Sequence, residues 1–231
     1  MRIFGLQKTT LLDYPGKLAS IIFTGGCNMN CPYCHNSELI HPHTDALISE
    51  EELFAHLKKR KNTLEGLVIS GGECTLQKDL MEFCHKVRSL GYSIKLDTNG
   101  TDPQTLRMLV QKDLVQYVAM DIKNSKEKYP LTVGLKSFDL RPLEESVAFL
   151  LEGHVDYEFR TTVVSEFFTK EDFHKIGQWI SGADAYYLQP FKDSAQVLQK
   201  GLSTPGDSDL ILYKDIISAY VNRAEIRGLD L

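Results

Sequence analysis

The sequence predicts an α/β protein built on parallel strands. Three observations carry this reading. Strand-like and helix-like runs alternate along most of the chain, and parallel strands need crossover connections of that kind. The strand-like runs are apolar and β-branched, as expected when both faces of a sheet are covered. The residues just after these runs are polar in a way that turn chemistry alone does not explain.

In chain order, "KLASIIFT" (17–24) reads as a strand. "SEEELFAHLKKR" (49–60) reads as a helix, with Ser49 and Glu52 forming a capping box. "LEGLVIS" (64–70) is a buried strand. "LQKDLMEFCHKVRSL" (76–90) carries apolar residues at helical spacing and stops at Gly91. "SIKLDT" (93–98) is a strand. The run 102–111 starts a helix on a capping Asp102 followed by Pro103. "VQYVAMDIK" (115–123) is a strand, 142–152 a helix ending before Gly153, and "YEFRTTVV" (157–164) a strand. A helix over 169–180, a last strand "AYYLQPF" (185–191) and a C-terminal helix over about 208–225 complete the set. No linker, low-complexity tract or repeat interrupts the chain. One domain over 1–231 is expected, with its core over about 17–191. Six such units make either an open doubly wound sheet or a partial barrel.

Composition narrows the class. The 231 residues are 42% hydrophobic and 25% charged, with a net charge of −5. No global basic field is present to recruit nucleic acid, and no apolar run reaches the ~18 residues of a membrane span. The start, "MRIFGLQKTTLLDYPGK", lacks a basic-then-apolar leader pattern. A cytoplasmic protein with neither nucleic-acid nor membrane partner is the expectation. Five cysteines, three of them clustered, suit a reducing compartment and a metal site better than a disulfide framework.

The strand ends read Thr24-Gly25-Gly26-Cys27, Ser70-Gly71-Gly72-Glu73, Asp97-Thr98-Asn99-Gly100, Asp121-Ile122-Lys123, Arg160-Thr161-Thr162 and Gln189-Pro190. Turns account for the glycines. They do not account for Cys, Glu, Lys, Arg and Gln at successive ends, which point to a shared site at one rim. In "TGGCNMNCPYCHN", Cys27, Cys31 and Cys34 have the spacing C-x3-C-x2-C. Structural zinc needs four ligands, and His35, His41 or His43 could supply the fourth. Iron–sulfur clusters also use cysteines at short loop spacings, and three of them leave one iron of a [4Fe–4S] cluster open. Spacing alone leaves both readings standing.

C-x3-C-x-aromatic-C after the first strand, followed by "GGE" after the second, is similar to the signature of the radical S-adenosylmethionine superfamily. "LLDYPGKLASIIFTGGCNMNCPYCHN", "SGGECTLQ", "LDTNGT", "YVAMDIK", "FRTTVV" and "YLQPF" resemble the single-cluster activating enzymes of glycyl-radical proteins, over about residues 5–191. Within these, the chain is most similar to the anaerobic ribonucleoside-triphosphate reductase activating proteins, relatives of the pyruvate formate-lyase activating enzymes. The resemblance implies a partial (β/α)6 barrel of parallel strands, laterally open. It implies one [4Fe–4S] cluster on Cys27, Cys31 and Cys34, whose open iron binds S-adenosylmethionine. Reductive cleavage would give methionine and a 5′-deoxyadenosyl radical, which takes a hydrogen from a glycine of the partner enzyme. A one-electron donor such as flavodoxin or ferredoxin is implied as a second partner.

The same resemblance assigns roles. Tyr33 packs near the adenine, where simple loop packing is the plainer reading. His35 and Asn36 support the cluster or nearby backbone. Gly71, Gly72 and Glu73 receive the methionine amino group, because glycines permit close approach and carboxylates accept from ammonium groups. Lys123 reaches the carboxylate or ribose. Asp97, Thr98 and Asp121 match positions that hold a monovalent cation, Na+ or K+; the competing expectation is an aspartate–lysine ion pair. Asn99, Arg160, Thr162 and Gln189 complete the pocket. Cys74 departs from the family, where proline is common, and reads as a small buried residue; Cys84 reads as core. By their length and place at the rim, the long loops 124–141 and 192–208, with Asp13 to Gly16, are read as candidate partner-binding edges. Two other functions compete: radical chemistry on a small molecule, such as a deazapurine-forming ring contraction, and a non-catalytic metal-binding module.

Overall fold

The structure is a computed structural model, and residues 1–228 are described. Among the described residues all strands belong to one sheet whose spatial order follows the chain, β1 to β8. β1 (Ile3–Thr10) pairs antiparallel with β2 (Ala19–Thr24). α1 (Glu50–Arg60) crosses to β3 (Gly66–Gly71), and α2 (Leu80–Ser89) to β4 (Ser93–Thr98). α3 (Pro103–Gln111) leads to β5 (Tyr117–Asp121). α4 (Tyr129–Thr132) and α5 (Arg141–Leu151) precede β6 (Asp156–Val163). α6 (Lys170–Trp179) leads to β7 (Tyr186–Pro190), and α7 (Asp207–Ser218) to β8 (Ala224–Ile226). β2 through β8 pair in parallel. The edges β1 and β8 do not pair with each other, so the sheet stays open between them.

The local signals behave as their chemistry requires. The Ser49 hydroxyl accepts from Glu52 N at 3.1 Å while Ser49 N donates to the Glu52 carboxylate at 2.9 Å, which fixes the start of α1. Asp102 accepts from Thr105 N at 3.0 Å and Pro103 opens α3.

Four expectations need correction. The sheet has two strands beyond the six read from sequence, one at each edge. The C-terminal helix ends at Ser218 instead of 225, because residues 224–226 pair with β7. α2 begins at Leu80, since Cys74–Leu76 forms a separate 3-10 turn. The connection 124–141 is not an irregular loop: it contains a 3-10 turn at Lys126–Lys128 and α4, and buries Asn124, Ser125, Tyr129 and Val133.

Alternation along the strands separates two interiors. Ile22, Leu67 and Ile69 face the helices and join the main core with Leu53 and Leu57 of α1. Ile21 and Val68 point the other way, into the concave face of the sheet, where they meet Tyr14 and Ala19. That second cluster is small. The rest of the concave face is polar, and it forms the site.

Candidate active site

A cavity of about 460 Å³ lies over the C-terminal ends of the parallel strands. Cys27, Cys31 and Cys34 line it from the segment after β2, together with Tyr33 and His35. All three thiols are free; Cys31 is buried and the other two are half-buried. Burial pushes the Cys31 thiol up to about 12 and raises Cys27 and Cys34 as well. Among the described residues, no three His, Cys, Asp or Glu side chains converge tightly enough for a single metal ion. Three thiols spread over one cavity wall suit a cluster, whose ligands stand apart, better than a mononuclear zinc ion. His41 and His43 are exposed and do not line the cavity.

The cysteine segment is held from three sides. Gly26 N donates to Leu39 O at 2.7 Å and Cys27 N to Ile40 O at 3.1 Å. Asn30 N donates to Val133 O at 2.9 Å, from the connection after β5. On the third side it meets the segment after β7. The His35 ring stacks on Phe191 with centroids 5.5 Å apart, and its Nε2 lies 2.6 Å from Lys192 O. Ser37 donates to Gln196 O, and Gln199 N donates to Pro32 O at 2.9 Å. His35 therefore joins two segments of the rim.

Gly71 and Gly72 line the cavity after β3. Gly71 has φ +119, and a Cβ on Gly72 would fall 2.1 Å from Gly26 O, so neither position admits a side chain. Glu73 turns away from the cavity and is fully buried. Its carboxylate accepts from Thr75 N and Oγ1 at 3.0 and 2.6 Å, Thr98 Oγ1 at 2.8 Å and Asn99 N at 2.7 Å. Burial raises its proton affinity, and these four donors oppose that rise. Glu73 thus ties the end of β3 to the end of β4.

Asp97, Thr98, Asn99, Asp121 and Lys123 line the opposite wall. Arg160 reaches back over β5: its Nε donates to Asp121 Oδ1 at 2.5 Å and its NH2 lies 3.3 Å from Asp97 Oδ2. Lys123 donates to Asp121 at 2.8 Å and Lys95 to Asp97 at 2.7 Å. Burial would raise both carboxylates, but the charges of Arg160 and the two lysines win and hold both below the usual range. Asp97 and Asp121 are therefore met by side-chain cations, and Thr98 spends its hydroxyl proton on Glu73. Thr162 and Gln189 line the cavity from β6 and β7. A second cavity of about 410 Å³ shares His35, Thr162 and Gln189 with the first and runs to Arg227 and Gly228 beside β8.

Cys74 is fully buried with Thr24 Oγ1 3.6 Å from its sulfur, and Cys84 lies in the core on α2. Neither lines the cavity. Asp13 does, from the β1–β2 connection, whereas Tyr14 is buried and Pro15 and Gly16 are exposed. Lys95 escaped the sequence reading, although its position two residues before Asp97 on one strand puts both on the same face. Also unread was a deeper pair: buried Glu158 accepts from Arg227 NH1 and NH2 at 2.8 and 2.6 Å and from Tyr117 at 2.8 Å.

A sequence profile of the Radical SAM superfamily matches residues 21–180, which hold the three cysteines and the first five parallel strands of this rim. The chain belongs to the radical SAM superfamily. A Methanocaldococcus jannaschii protein whose name places it among glycyl-radical enzyme activating enzymes is 32% identical over 99% of this chain and 96% of its own length. The pyruvate formate-lyase 1-activating enzyme of Escherichia coli strain K12 is 28% identical, covering 77% of this chain and 74% of that one. Among solved structures, Streptococcus suis SuiB superposes with a TM-score of 0.69 at 13% identity, over 91% of this chain and 49% of SuiB. A domain of a pyruvate-formate lyase-activating enzyme from Bacteroides vulgatus gives 0.58 at 13% identity, over 71% of this chain and 99% of the domain. These structural likenesses concern the fold. Membership in the radical SAM superfamily carries a [4Fe–4S] cluster and S-adenosylmethionine, and this donor set fits them: three thiols on one wall, charges and glycines on the other. No helix among the described residues is long and apolar enough to cross a membrane.

Proposed function

We propose that this radical SAM protein activates a glycyl-radical enzyme, drawing one electron from a donor such as flavodoxin or ferredoxin. The observation that carries the reading is the pairing of the cysteine-lined cavity with a side route. The second cavity, of about 410 Å³, leads from Thr162 and Gln189 toward the open edge of the sheet at β8, where Arg227 and Gly228 line it. The whole-length relative named as an activating enzyme supports the same class. Anaerobic ribonucleotide reductase is the partner the sequence favours.

When bound, the cluster and S-adenosylmethionine supply one-electron reductive cleavage of the sulfonium and a carbon radical that takes a glycine hydrogen. The chain's own residues bind and orient. Cys27, Cys31 and Cys34 hold the cluster. The backbone of Gly71 and Gly72, where no side chain fits, would receive the methionine ammonium, and Glu73 acts on that segment as a positioning residue. Lys123 and Arg160, kept charged by Asp121 and Asp97, would hold the carboxylate and ribose. Tyr33, Asn99, Thr162 and Gln189, which line the same cavity, would surround the nucleoside. An added Na+ or K+ at Asp97, Thr98 and Asp121 has to compete with Lys95, Lys123 and Arg160; the ion pairs are the reading we favour.

The test mixes cluster-loaded protein, reductant, S-adenosylmethionine and anaerobic ribonucleotide reductase labelled with deuterium at glycine α-carbons. A doublet radical signal on the reductase and deuterium in the 5′-deoxyadenosine are expected. Slow cofactor cleavage with neither signal overturns the partner. Turnover of a free small molecule in its place overturns the class.

A further inference from the structure

Asn28, between Cys27 and Cys31, belongs to a closed ring of hydrogen bonds with Asn99 and Thr101. Its Nδ2 donates to Thr101 Oγ1 at 2.8 Å. That hydroxyl donates to Asn99 Oδ1 at 2.7 Å, and Asn99 Nδ2 donates back to Asn28 Oδ1 at 2.9 Å. Each side chain gives one bond and takes one within the ring. Thr101 N also donates to Asn99 Oδ1, at 3.0 Å. Turning the Asn99 amide over would set its NH2 against that N–H, so the direction of the ring is fixed.

The ring joins two walls of the cavity from outside it. Neither Asn28 nor Thr101 lines the cavity, whereas Asn99 does. Asn99 is buried, so its amide needs partners within the protein. Its backbone N–H donates to Glu73 at 2.7 Å, which makes the ring continuous with the tie between β3 and β4. The other ties of the cysteine segment described above run to Leu39 and Ile40, to Val133 and to the stretch after β7. None of those reaches β4, where the charged wall begins with Asp97. Hydrogen bonds that close a cycle also strengthen one another.

We propose that Asn28 and Thr101 are positioning residues, whose ring with Asn99 sets the separation between the cysteine segment and the wall that receives S-adenosylmethionine. The inference rests on the cluster and S-adenosylmethionine reading above, not on the partner. The cofactor has to meet the open iron on one side and the charged residues on the other. A misfit of about 1 Å weakens such a two-sided hold. The three thiols bind the cluster without help from the ring, so opening the ring acts on cofactor docking.

The test compares Thr101→Val, which keeps the shape and removes the hydroxyl, with Thr101→Ser, which keeps the hydroxyl, and adds Asn28→Ala. Iron per chain, S-adenosylmethionine affinity and the electron paramagnetic resonance spectrum of the reduced cluster, with and without S-adenosylmethionine, are measured. In Thr101→Val and Asn28→Ala, iron content and the cofactor-free spectrum are expected to match wild type. Affinity is expected to fall roughly threefold to tenfold, the scale of one net hydrogen bond. The spectral change on adding S-adenosylmethionine should shrink with it. Thr101→Ser should restore both, and the double variant Asn28→Ala/Thr101→Val should be no weaker than the worse single one, because the ring opens only once. Unchanged affinity in both single variants overturns the proposal, as do losses that add in the double variant. Thr101→Ser as weak as Thr101→Val overturns it by removing the hydroxyl from the account. Iron loss in either single variant assigns the ring to cluster binding and overturns it too. If wild type itself binds no cluster or no S-adenosylmethionine, the failure belongs to the cofactor reading.

Discussion

Gly134 lies directly against the carbonyl of Asn30: a Cβ at residue 134 would sit 2.1 Å from that oxygen and 2.9 Å from its carbon. Gly134 also has φ +68, and its neighbour Val133 accepts from Asn30 N at 2.9 Å. The contact is backbone to backbone, so neither side can rotate away. Gly134→Ala is expected to shift the span between Cys27 and Cys31 and to lower cluster occupancy, read as iron per chain. Gly153→Ala is the control. Its φ is +74 with nothing within 4 Å, so it carries the conformational cost of about 1 kcal/mol without the collision. Equal iron content in the two variants sinks the idea that Gly134 positions the cysteine segment.

Replacement of Cys27, Cys31 or Cys34 by Ala is expected to abolish the cluster, seen as loss of iron and of its visible absorbance. Cys84→Ala is expected to keep the iron and cost about 1 kcal/mol of stability, as for removal of one small buried group. Cys74→Ala keeps it too, because that sulfur is enclosed beside Thr24 and outside the cavity. Cluster loss on Cys74→Ala contradicts the assignment of the open iron.

Glu73→Gln replaces an acceptor of four hydrogen bonds by a group with one acceptor oxygen. Loss of charge-assisted bonds is expected to lower metal-free stability by roughly 1.5–3 kcal/mol. S-adenosylmethionine affinity falls with it, because Thr98 and Asn99 lose their anchor, while iron content stays. Chemical denaturation and equilibrium binding check the two effects; unchanged stability refutes the tie between β3 and β4.

The Asp121 carboxyl titrates below its unfolded range, against burial, because Arg160 and Lys123 flank it. Between the folded and unfolded values the unfolded chain binds more protons, so this group's stabilisation is present above about pH 4 and is lost as pH falls further. Asp121→Asn is expected to be less stable at neutral pH and to show a shallower decline below pH 4. An acid limb as steep as that of wild type rejects the account.

Arg227 supplies both donors of a bidentate pair to fully buried Glu158. Arg227→Met leaves that carboxylate with Tyr117 alone, and a cost of about 3 kcal/mol is expected. Adding Glu158→Gln should restore much of it. A double variant no better than the single one rules out the unpaired charge as the cause.

The strands β2 to β7 were legible because each is a short apolar run closed by turn residues, as in "LEGLVIS". β1 was not: in "IFGLQKTT" Gly5, Gln7 and Lys8 interrupt the run, since an edge strand need not be covered on both faces. β8 spans three residues in a segment that reads as a continuation of α7. The cavity-lining residues were legible because parallel strands deliver their C-terminal ends to one rim. Gly134 and Glu158 were not, for their roles depend on neighbours far away in sequence; Lys95 was readable from its place two residues before Asp97 on one strand.

The open edge between β1 and β8 has a mechanical consequence. Across the rim, the gap is spanned by contacts between the cysteine segment and the stretch after β7: His35 with Lys192, Ser37 with Gln196, and Pro32 with Gln199. The doorway and the cluster support therefore share one frame. A visitor that widens the slit pulls on the strand of backbone that carries Cys31 and Cys34. Arrival of the partner should be visible in the cluster's own spectrum before any hydrogen is transferred, and fastening the slit with a covalent bridge should silence that signal.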